Sequence, residues 1–160
     1  MRTKLICSAG CGLLIFAAVA VEAEAPGQKP ATAPAFLGKS VTLGEIQAGR
    51  EIYAANCASC HGVDLQGQPD WRRRLENGRM PAPPHDGSGH SWSHSDKELF
   101  TITKDGVGAV VPGYESDMPA FGEVLGEAEI AAVLGYIKST WPERQRAVQA
   151  GITARKEAGK

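Results

Sequence analysis

The chain has 160 residues, of which 42% are hydrophobic and 22% charged, and 17 Lys and Arg residues stand against 18 Asp and Glu residues. This composition is that of an ordinary soluble domain, and it excludes a disordered or collagen-like chain. The near balance of charge also predicts that the chain does not bind nucleic acid.

The first 25 residues have the pattern of a signal peptide. Arg2 and Lys4 form a basic start, residues 5–21 carry no charge, and Ala23 and Ala25 are small residues suited to a cleavage site. The pattern predicts an exported protein. Because an uncharged run of about 17 residues is at the lower limit for crossing a bilayer, an uncleaved membrane anchor is the alternative interpretation.

Residues 26–41 are rich in Ala and Pro and show no apolar periodicity, which predicts a flexible linker. The sequence contains no internal repeat, so we expect one folded domain over residues 42–141. Residues 142–160 are polar and are interpreted as a solvated C-terminal tail, for which an exposed helix from Pro142 with frayed ends is the alternative form.

Three helices are predicted within the domain, and no strand alternation is sustained, so the expected class is all-α. Thr42 and Glu45 have capping-box spacing and begin a helix over about 43–55. Ser95 and Glu98 repeat that spacing before a short helix that Gly106 ends. The strongest pattern is the stretch "GEAEIAAVLGYIKSTW", with acidic residues at its start and an apolar side.

Residues 62–94 separate the first two helices and are rich in Gly and Pro. We expect about 30 residues of loop there, with at most one helical turn over about 70–76. A loop of this length inside a compact domain is usually functional or surrounds a ligand.

The stretch "ANCASCHG" places Cys57, Cys60 and His61 directly after the first predicted helix. Cys7 and Cys11 lie in the predicted signal segment, so a zinc site would lack its other ligands. A redox dithiol is expected beside a βαβ unit, and a disulfide leaves the histidine unexplained. Covalent attachment of one haem c explains all three residues, with two thioether bonds and a histidine ligand to the iron.

Two methionines are candidates for the second iron ligand. The length of chain that separates each of them from His61 is sufficient for both, so it does not decide between them. Met118 is favoured over Met80 because it lies between two predicted helices, is followed by Pro119, and has the apolar Phe121 nearby. Histidine ligation is the alternative. Its candidates lie in a Gly- and Ser-rich stretch and are interpreted as exposed loop residues: His85, His90 and His94.

The sequence resembles the small, single-haem class I c-type cytochromes of bacterial periplasm and respiratory membranes. The resemblance rests on "GREIYAANCASCHG", "MPAFG" and "LGEAEIAAVLGYIKSTW" in that order. It implies an all-α cytochrome c-like fold in which the first and last helices cross beside the haem. At that crossing Gly49 would permit close approach, and Tyr53 and Tyr136 would pack nearby.

The resemblance also suggests that the carbonyl of Pro83 or Pro84 orients His61. Trp92 is a candidate donor to a haem propionate, and packing of its ring against the haem edge is the alternative. Four arginines of the long loop are further candidates for binding the propionates: Arg72, Arg73, Arg74 and Arg79. The competing interpretation is that they form a solvated basic face.

The function expected from the resemblance is electron transfer in the periplasm without catalysis, by a free carrier or a membrane-tethered subunit. Residues 105–129 contain six acidic residues and no Lys or Arg, which predicts weak docking to a redox partner with a basic patch: Asp105, Glu115, Asp117, Glu123, Glu127 and Glu129. The alternatives are a haem protein with an open iron position for peroxide or a gas, and a subunit whose haem serves assembly.

Overall fold

The computed structural model describes residues 33–159, so the predicted signal peptide and the first part of the predicted linker lie outside the described residues. This part of the chain contains α1 (Leu43–Asn56), α2 (Ala58–His61), α3 (Asp96–Asp105), α4 (Glu127–Ser139) and α5 (Glu143–Glu157). An antiparallel hairpin of β1 (Ala35–Phe36) and β2 (Lys39–Ser40) precedes α1. Single 3₁₀ turns cover Ser91–Ser93 and Val107–Ala109. The all-α class is confirmed.

The two predicted capping boxes begin α1 and α3. The Thr42 hydroxyl accepts from the Glu45 N–H at 3.2 Å, and the Glu45 carboxylate accepts from the Thr42 N–H at 2.7 Å. Ser95 and Glu98 make the same reciprocal pair at 3.3 and 3.0 Å. Each box satisfies N–H groups that a helix leaves unpaired at its start, which explains why α1 and α3 begin where the sequence predicts.

The helical turn expected over residues 70–76 is not formed. Asp70 has a φ of +53°, in the left-handed region, and the following residues make turns. A right-handed helix cannot continue through such a residue, so the stretch stays a loop.

In the core, α1 packs directly against α4. A Cβ atom at Gly49 would lie 2.1 Å from the Ala132 carbonyl oxygen, so the crossing requires glycine at this point. Tyr53 and Tyr136 meet beside it with ring centroids 5.7 Å apart. The buried side of α4 includes the four apolar residues predicted for it: Ile130, Val133, Leu134 and Ile137.

The hairpin corrects the boundary of the predicted linker. Phe36 and Val41 are buried, at 4% and 5% exposure, and the Leu37 N–H donates to the Asp96 carboxylate at 2.9 Å. The Ala- and Pro-rich composition suggested a tether, but these two apolar side chains gain free energy by packing on the domain. The folded part therefore includes residues 35–41.

Most of the polar tail forms α5, and this helix packs on the domain instead of lying in solvent as expected. Gln149 is fully buried, and its side-chain N–H donates to the Asp96 carboxylate at 2.6 Å. Asp96 also pairs with Lys138 on α4 at 2.8 Å, and its backbone N–H donates to the Thr153 hydroxyl at 3.1 Å. Buried polar groups need such partners, and α5 supplies one for the Asp96 carboxylate and one for the Asp96 N–H.

Within residues 33–159, no helix is long and apolar enough to cross a membrane.

Candidate functional site

Cys57, Cys60 and His61 lie on one helical turn directly after α1. The Cys57 N–H donates to the Tyr53 carbonyl at 2.9 Å, which continues the hydrogen bonding of α1. The Cys57 carbonyl then accepts from the N–H groups of Cys60 and His61, at 3.1 and 2.9 Å. Cys57 is half-buried, Cys60 is exposed, and His61 is only 6% exposed. The three residues therefore lie on one turn of backbone, and their joint role in binding haem stays a prediction.

Both cysteines are free thiols. Burial, and to a smaller extent the neighbouring Cys60, raises the pKa of the Cys57 thiol to about 11. A redox dithiol or a nucleophilic cysteine needs a lowered pKa, because the thiolate is the reactive form. Among the described residues, no group of three or more His, Cys, Asp or Glu side chains is placed to hold a metal ion. The raised pKa of the Cys57 thiol therefore argues against a redox dithiol.

The imidazole of His61 is oriented by Pro83. Its Nδ1 lies 2.8 Å from the Pro83 carbonyl oxygen. Because a carbonyl can only accept, Nδ1 carries the proton and Nε2 keeps its lone pair. Burial lowers the pKa of His61, an effect that the hydrogen bond to Pro83 opposes. The result is a buried neutral imidazole whose Nε2 can bind a metal, and Pro83, not Pro84, provides the orienting carbonyl.

His85 does not lie in solvent as its Gly- and Ser-rich surroundings suggested. Its ring stacks on that of His61, with centroids 3.8 Å apart and planes 21° apart. Burial lowers the pKa of His85 well below its usual range, and the nearby rings of His61 and His90 add to the shift. No local pattern in the sequence signals this placement, because the contact joins residues that are 24 positions apart.

The other two loop histidines lie near Trp71. His90 is exposed and stacks on the Trp71 ring at 5.5 Å, and His94 meets His90 edge-on at 5.5 Å. Burial is the main cause that lowers the pKa of the half-buried His94. These contacts give both side chains a packing role, and a role for either as an iron ligand stays a prediction.

Met118 lies half-buried in the loop between the second 3₁₀ turn and α4. Its N–H donates to the Ser116 hydroxyl at 3.1 Å. Just beyond it, the Phe121 N–H donates to the Thr103 carbonyl of α3 at 2.9 Å. The loop is thus attached to α3 on one side of Met118. The pairing of Met118 with His61 stays a prediction, as does the exclusion of the half-buried Met80.

The arginines of the long loop have several different environments. Arg72 lies over the Trp71 ring at 4.2 Å, and Arg74 donates to the Gly78 carbonyl at 2.6 Å. Arg79 contacts the carboxylates of Asp117 and Glu115, beside Met118. The guanidinium of Arg79 therefore already has acidic partners within the chain, which weakens the prediction that it binds a haem propionate.

Trp92 provides a test of whether a carboxylate-bearing group fits the site. Its indole N–H is buried and has no hydrogen-bond acceptor among the described residues. Buried donors are almost always paired in folded proteins, so an acceptor is expected to complete this one. A haem propionate is an acceptor of the required kind.

The acidic residues predicted to form a docking surface are all exposed: Asp105, Glu115, Asp117, Glu123, Glu127 and Glu129. Three of them have basic partners within the chain. Glu115 and Asp117 contact Arg79, and Glu127 pairs with Lys104 at 2.6 Å. The surface is consequently less acidic than the sequence alone suggests.

A family model described as cytochrome C oxidase, cbb3-type, subunit III matches residues 44–137. The chain belongs to this family. The match confirms the resemblance to c-type cytochromes, and it includes Cys57, Cys60, His61 and Met118. Membership of the cbb3-type subunit III family implies a covalently bound haem c, which agrees with the two free cysteines and the oriented imidazole described above.

Two curated relatives from Rhodobacter capsulatus are each named cbb3-type cytochrome c oxidase subunit CcoP. One is 28% identical over 102 residues, covering 64% of this chain and 31% of the relative. The other is 32% identical over 92 residues, covering 58% of this chain and 28% of the relative. The match thus spans about a third of the length of these relatives. The search of solved structures found no match.

Proposed function

We propose that this chain carries a single haem c and transfers one electron at a time between redox proteins, as an electron-transfer unit and not as a catalyst. The observation that supports this most directly is the buried, neutral His61 imidazole, whose Nδ1 proton is held by Pro83. That arrangement leaves Nε2 free to bind iron.

In this proposal Cys57 and Cys60 bind the haem through thioether bonds, and His61 is one iron ligand. When bound, the haem accepts and releases single electrons through its iron. Met118 would be the second protein ligand to the iron. A thioether together with a histidine would favour the reduced state, and two protein ligands would leave no site on the iron for substrates or gases.

Optical spectroscopy of the exported protein tests the ligand set. We expect the ferric protein to show a weak near-infrared sulfur-to-iron band, and the ferrous protein to bind no CO. The variant Met118→Ala should lose the band and bind CO rapidly. Met80→Ala is the matched control and should keep the wild-type spectrum, because Met80 is not a ligand in this proposal.

Other outcomes would contradict specific parts of the proposal. Loss of the band in Met80→Ala, with Met118→Ala unchanged, would assign the ligand to the long loop. Rapid CO binding by the wild-type protein would mean an open iron position and would favour a gas- or peroxide-binding function. A six-coordinate spectrum without the band would instead implicate His90 or His94.

The number of haems is tested by chemical quantification. We expect one haem per chain that remains attached after denaturation, because the described part of the chain contains one pair of cysteines followed by histidine. The double variant Cys57→Ala/Cys60→Ala should retain no covalent haem. A second haem per chain, or haem that survives in this variant, would contradict the assignment.

The partner proposed for this chain is a redox protein of an oxidase-type complex. Support comes from the names of the Rhodobacter capsulatus relatives and from the exposed acidic surface on residues 105–129. Docking of this surface to a basic patch predicts that the electron-transfer rate falls as ionic strength rises. A rate independent of salt would contradict electrostatic docking without affecting the haem assignment.

The proposed location is the periplasmic side of the membrane, with residues 1–25 acting as signal peptide or retained anchor. Mass spectrometry of the protein from separated periplasmic and membrane fractions distinguishes these cases. We expect a mature N-terminus near Pro26 in the periplasmic fraction. The full-length chain in the membrane fraction would show an anchor, and protein in the cytoplasmic fraction would contradict export.

A further inference from the structure

The ring of His85 has an unusual position next to the candidate iron ligand. It stacks on His61 at 3.8 Å, and on another side it meets the edge of Tyr53 at 6.0 Å. Its Nδ1 atom is buried and has no hydrogen-bond partner among the described residues. Hydrogen bonding at this nitrogen therefore does not account for the position of the ring, and its closest described aromatic contact is the face of His61.

The backbone of His85 is fixed from both directions. Its N–H donates to the Leu65 carbonyl at 2.8 Å, and its carbonyl accepts from the Trp141 indole at 2.8 Å. The preceding residues pack tightly on Gly67, where a Cβ atom would lie 2.4 Å from the Pro84 nitrogen and where φ is +71°. A ring attached to such a constrained backbone has little freedom to move away from its neighbour.

The hydrogen bond to Pro83 leaves part of the orientation of His61 undetermined. It holds Nδ1 near the carbonyl oxygen, but hydrogen bonds tolerate a broad range of angles at the acceptor. A flat ring stacked at 3.8 Å restricts tilting of the imidazole plane, because tilting would bring the two rings into steric overlap on one side. The two contacts together fix both a ring atom and the ring plane.

We propose that His85 is a positioning residue, which sets the orientation of the His61 imidazole plane by stacking on it. This inference rests on the proposed function, in which His61 binds the haem iron. In the holoprotein the orientation of the His61 imidazole plane would influence the distribution of unpaired electron density over the haem. His85 thereby influences the electronic structure of the haem without contacting the iron.

Proton nuclear magnetic resonance of the ferric holoprotein tests the proposal through the shifts of the four haem methyl groups. We expect His85→Leu to change the order or the spread of these shifts, because leucine fills space but offers no flat face. His85→Phe is the matched control, since it retains a flat ring, and it should restore the wild-type pattern. Unchanged patterns in both variants, or equal changes in both, would overturn the role of stacking.

A measurement on the wild-type protein covers the case in which a variant fails to fold or to attach haem. In the reduced, diamagnetic holoprotein, nuclear Overhauser contacts are expected between the ring protons of His61 and His85. Their absence would overturn the stacked arrangement. A different result would contradict the proposed function itself. If the His61→Ala variant keeps the wild-type optical spectrum, His61 is not the iron ligand, whether or not its ring stacks on His85.

Discussion

Two ion pairs join distant parts of this chain in contrasting environments. Lys138 and Asp96 pair at 2.8 Å with side chains only 6% and 4% exposed, whereas Arg79 and Asp117 are 39% and 56% exposed. The buried pair lies where the hairpin, α3, α4 and α5 meet, and the exposed pair lies beside the candidate ligand Met118. The difference indicates that the first pair supports the fold, and that the second acts locally on the Met118 loop.

The buried pair also attaches the parts of the chain that lie outside the family match. The hairpin and α5 both fall outside residues 44–137, and both bind to Asp96. The hairpin does so through the Leu37 N–H, and α5 through Gln149. With Lys138, three donors therefore converge on one buried carboxylate, which makes its loss costly.

The largest expected effect is that of removing one partner of the buried pair. Asp96→Ala or Lys138→Ala should lower the free energy of unfolding by about 3–5 kcal/mol, because the remaining charge stays buried without a partner. Urea unfolding of the holoprotein measures this. The matched control is Lys104→Ala, which breaks an exposed, solvent-screened pair with Glu127 and should lose far less stability than either variant of the buried pair. Equal losses in the three variants would remove the distinction between the pairs.

A smaller effect is expected where α4 crosses α1. Gly49→Ala should lower the free energy of unfolding by about 1–3 kcal/mol, because the new methyl group would overlap the Ala132 carbonyl and force the helices apart. Gly44→Ala on the same helix is the control, since its Cβ atom would have no neighbour closer than 3.9 Å. Alanine at position 44 should be neutral or stabilising. A Gly49→Ala protein as stable as the wild type would show that the crossing adapts.

The junction of α3 with α5 has an exposed pair as well, and this pair predicts a pH dependence. Hydrogen bonds from Lys156 and Ser95 hold the pKa of Glu98 down at about 2, below the ordinary value of 4.5. A lowered carboxyl pKa stabilises the fold above pH 4.5, and that contribution is lost as pH falls from 4.5 through 2. We expect about 1 kcal/mol, because the Lys156 side chain is largely exposed.

Unfolding of wild-type protein and Glu98→Gln across this pH range checks the contribution. The difference in unfolding free energy between the two proteins should shrink toward zero as the pH approaches 2. A difference that stays constant between pH 4.5 and 2 would contradict the role of the Glu98 charge.

The smallest effect on stability is expected at the exposed pair beside Met118. Arg79→Ala should change the free energy of unfolding by less than about 1 kcal/mol. It should nevertheless lower the temperature at which the near-infrared sulfur band disappears, because the Met118 loop loses a contact with the long loop. Arg73→Ala is the control, since Arg73 is exposed. Identical band temperatures in the two variants would show that Arg79 does not hold the loop.

Local signals in the sequence predicted much of the fold. The capping boxes at Thr42 and Ser95 involve residues three positions apart, so the starts of α1 and α3 are readable from the chain itself. The hairpin was not predicted, and a helix after Pro142 was expected only as an exposed part of a solvated tail. Their attachment depends on Asp96, which lies 59 residues from Leu37 and 53 from Gln149. No periodic pattern reports a contact over such distances.

The candidate site likewise has one part that the sequence predicts and another part that depends on long-range packing. The spacing of Cys57, Cys60 and His61 predicts their joint placement, because one helical turn determines it. The choice between Pro83 and Pro84, and the stacking of His85, depend on how the long loop folds back over His61. Composition around His85 suggested solvent exposure, and tertiary packing overrides that local tendency.

The irregular stretch from Asp70 to Gly78 has a consequence for proteolysis. It exposes three consecutive arginines, Arg72, Arg73 and Arg74, outside any helix, so trypsin is expected to cut the folded protein there first. Such a cut leaves the Cys57–His61 segment on one fragment and Pro83 with α4 on the other. Because α1 remains packed on α4, the nicked chain should stay together as a two-piece protein whose halves separate only on denaturation.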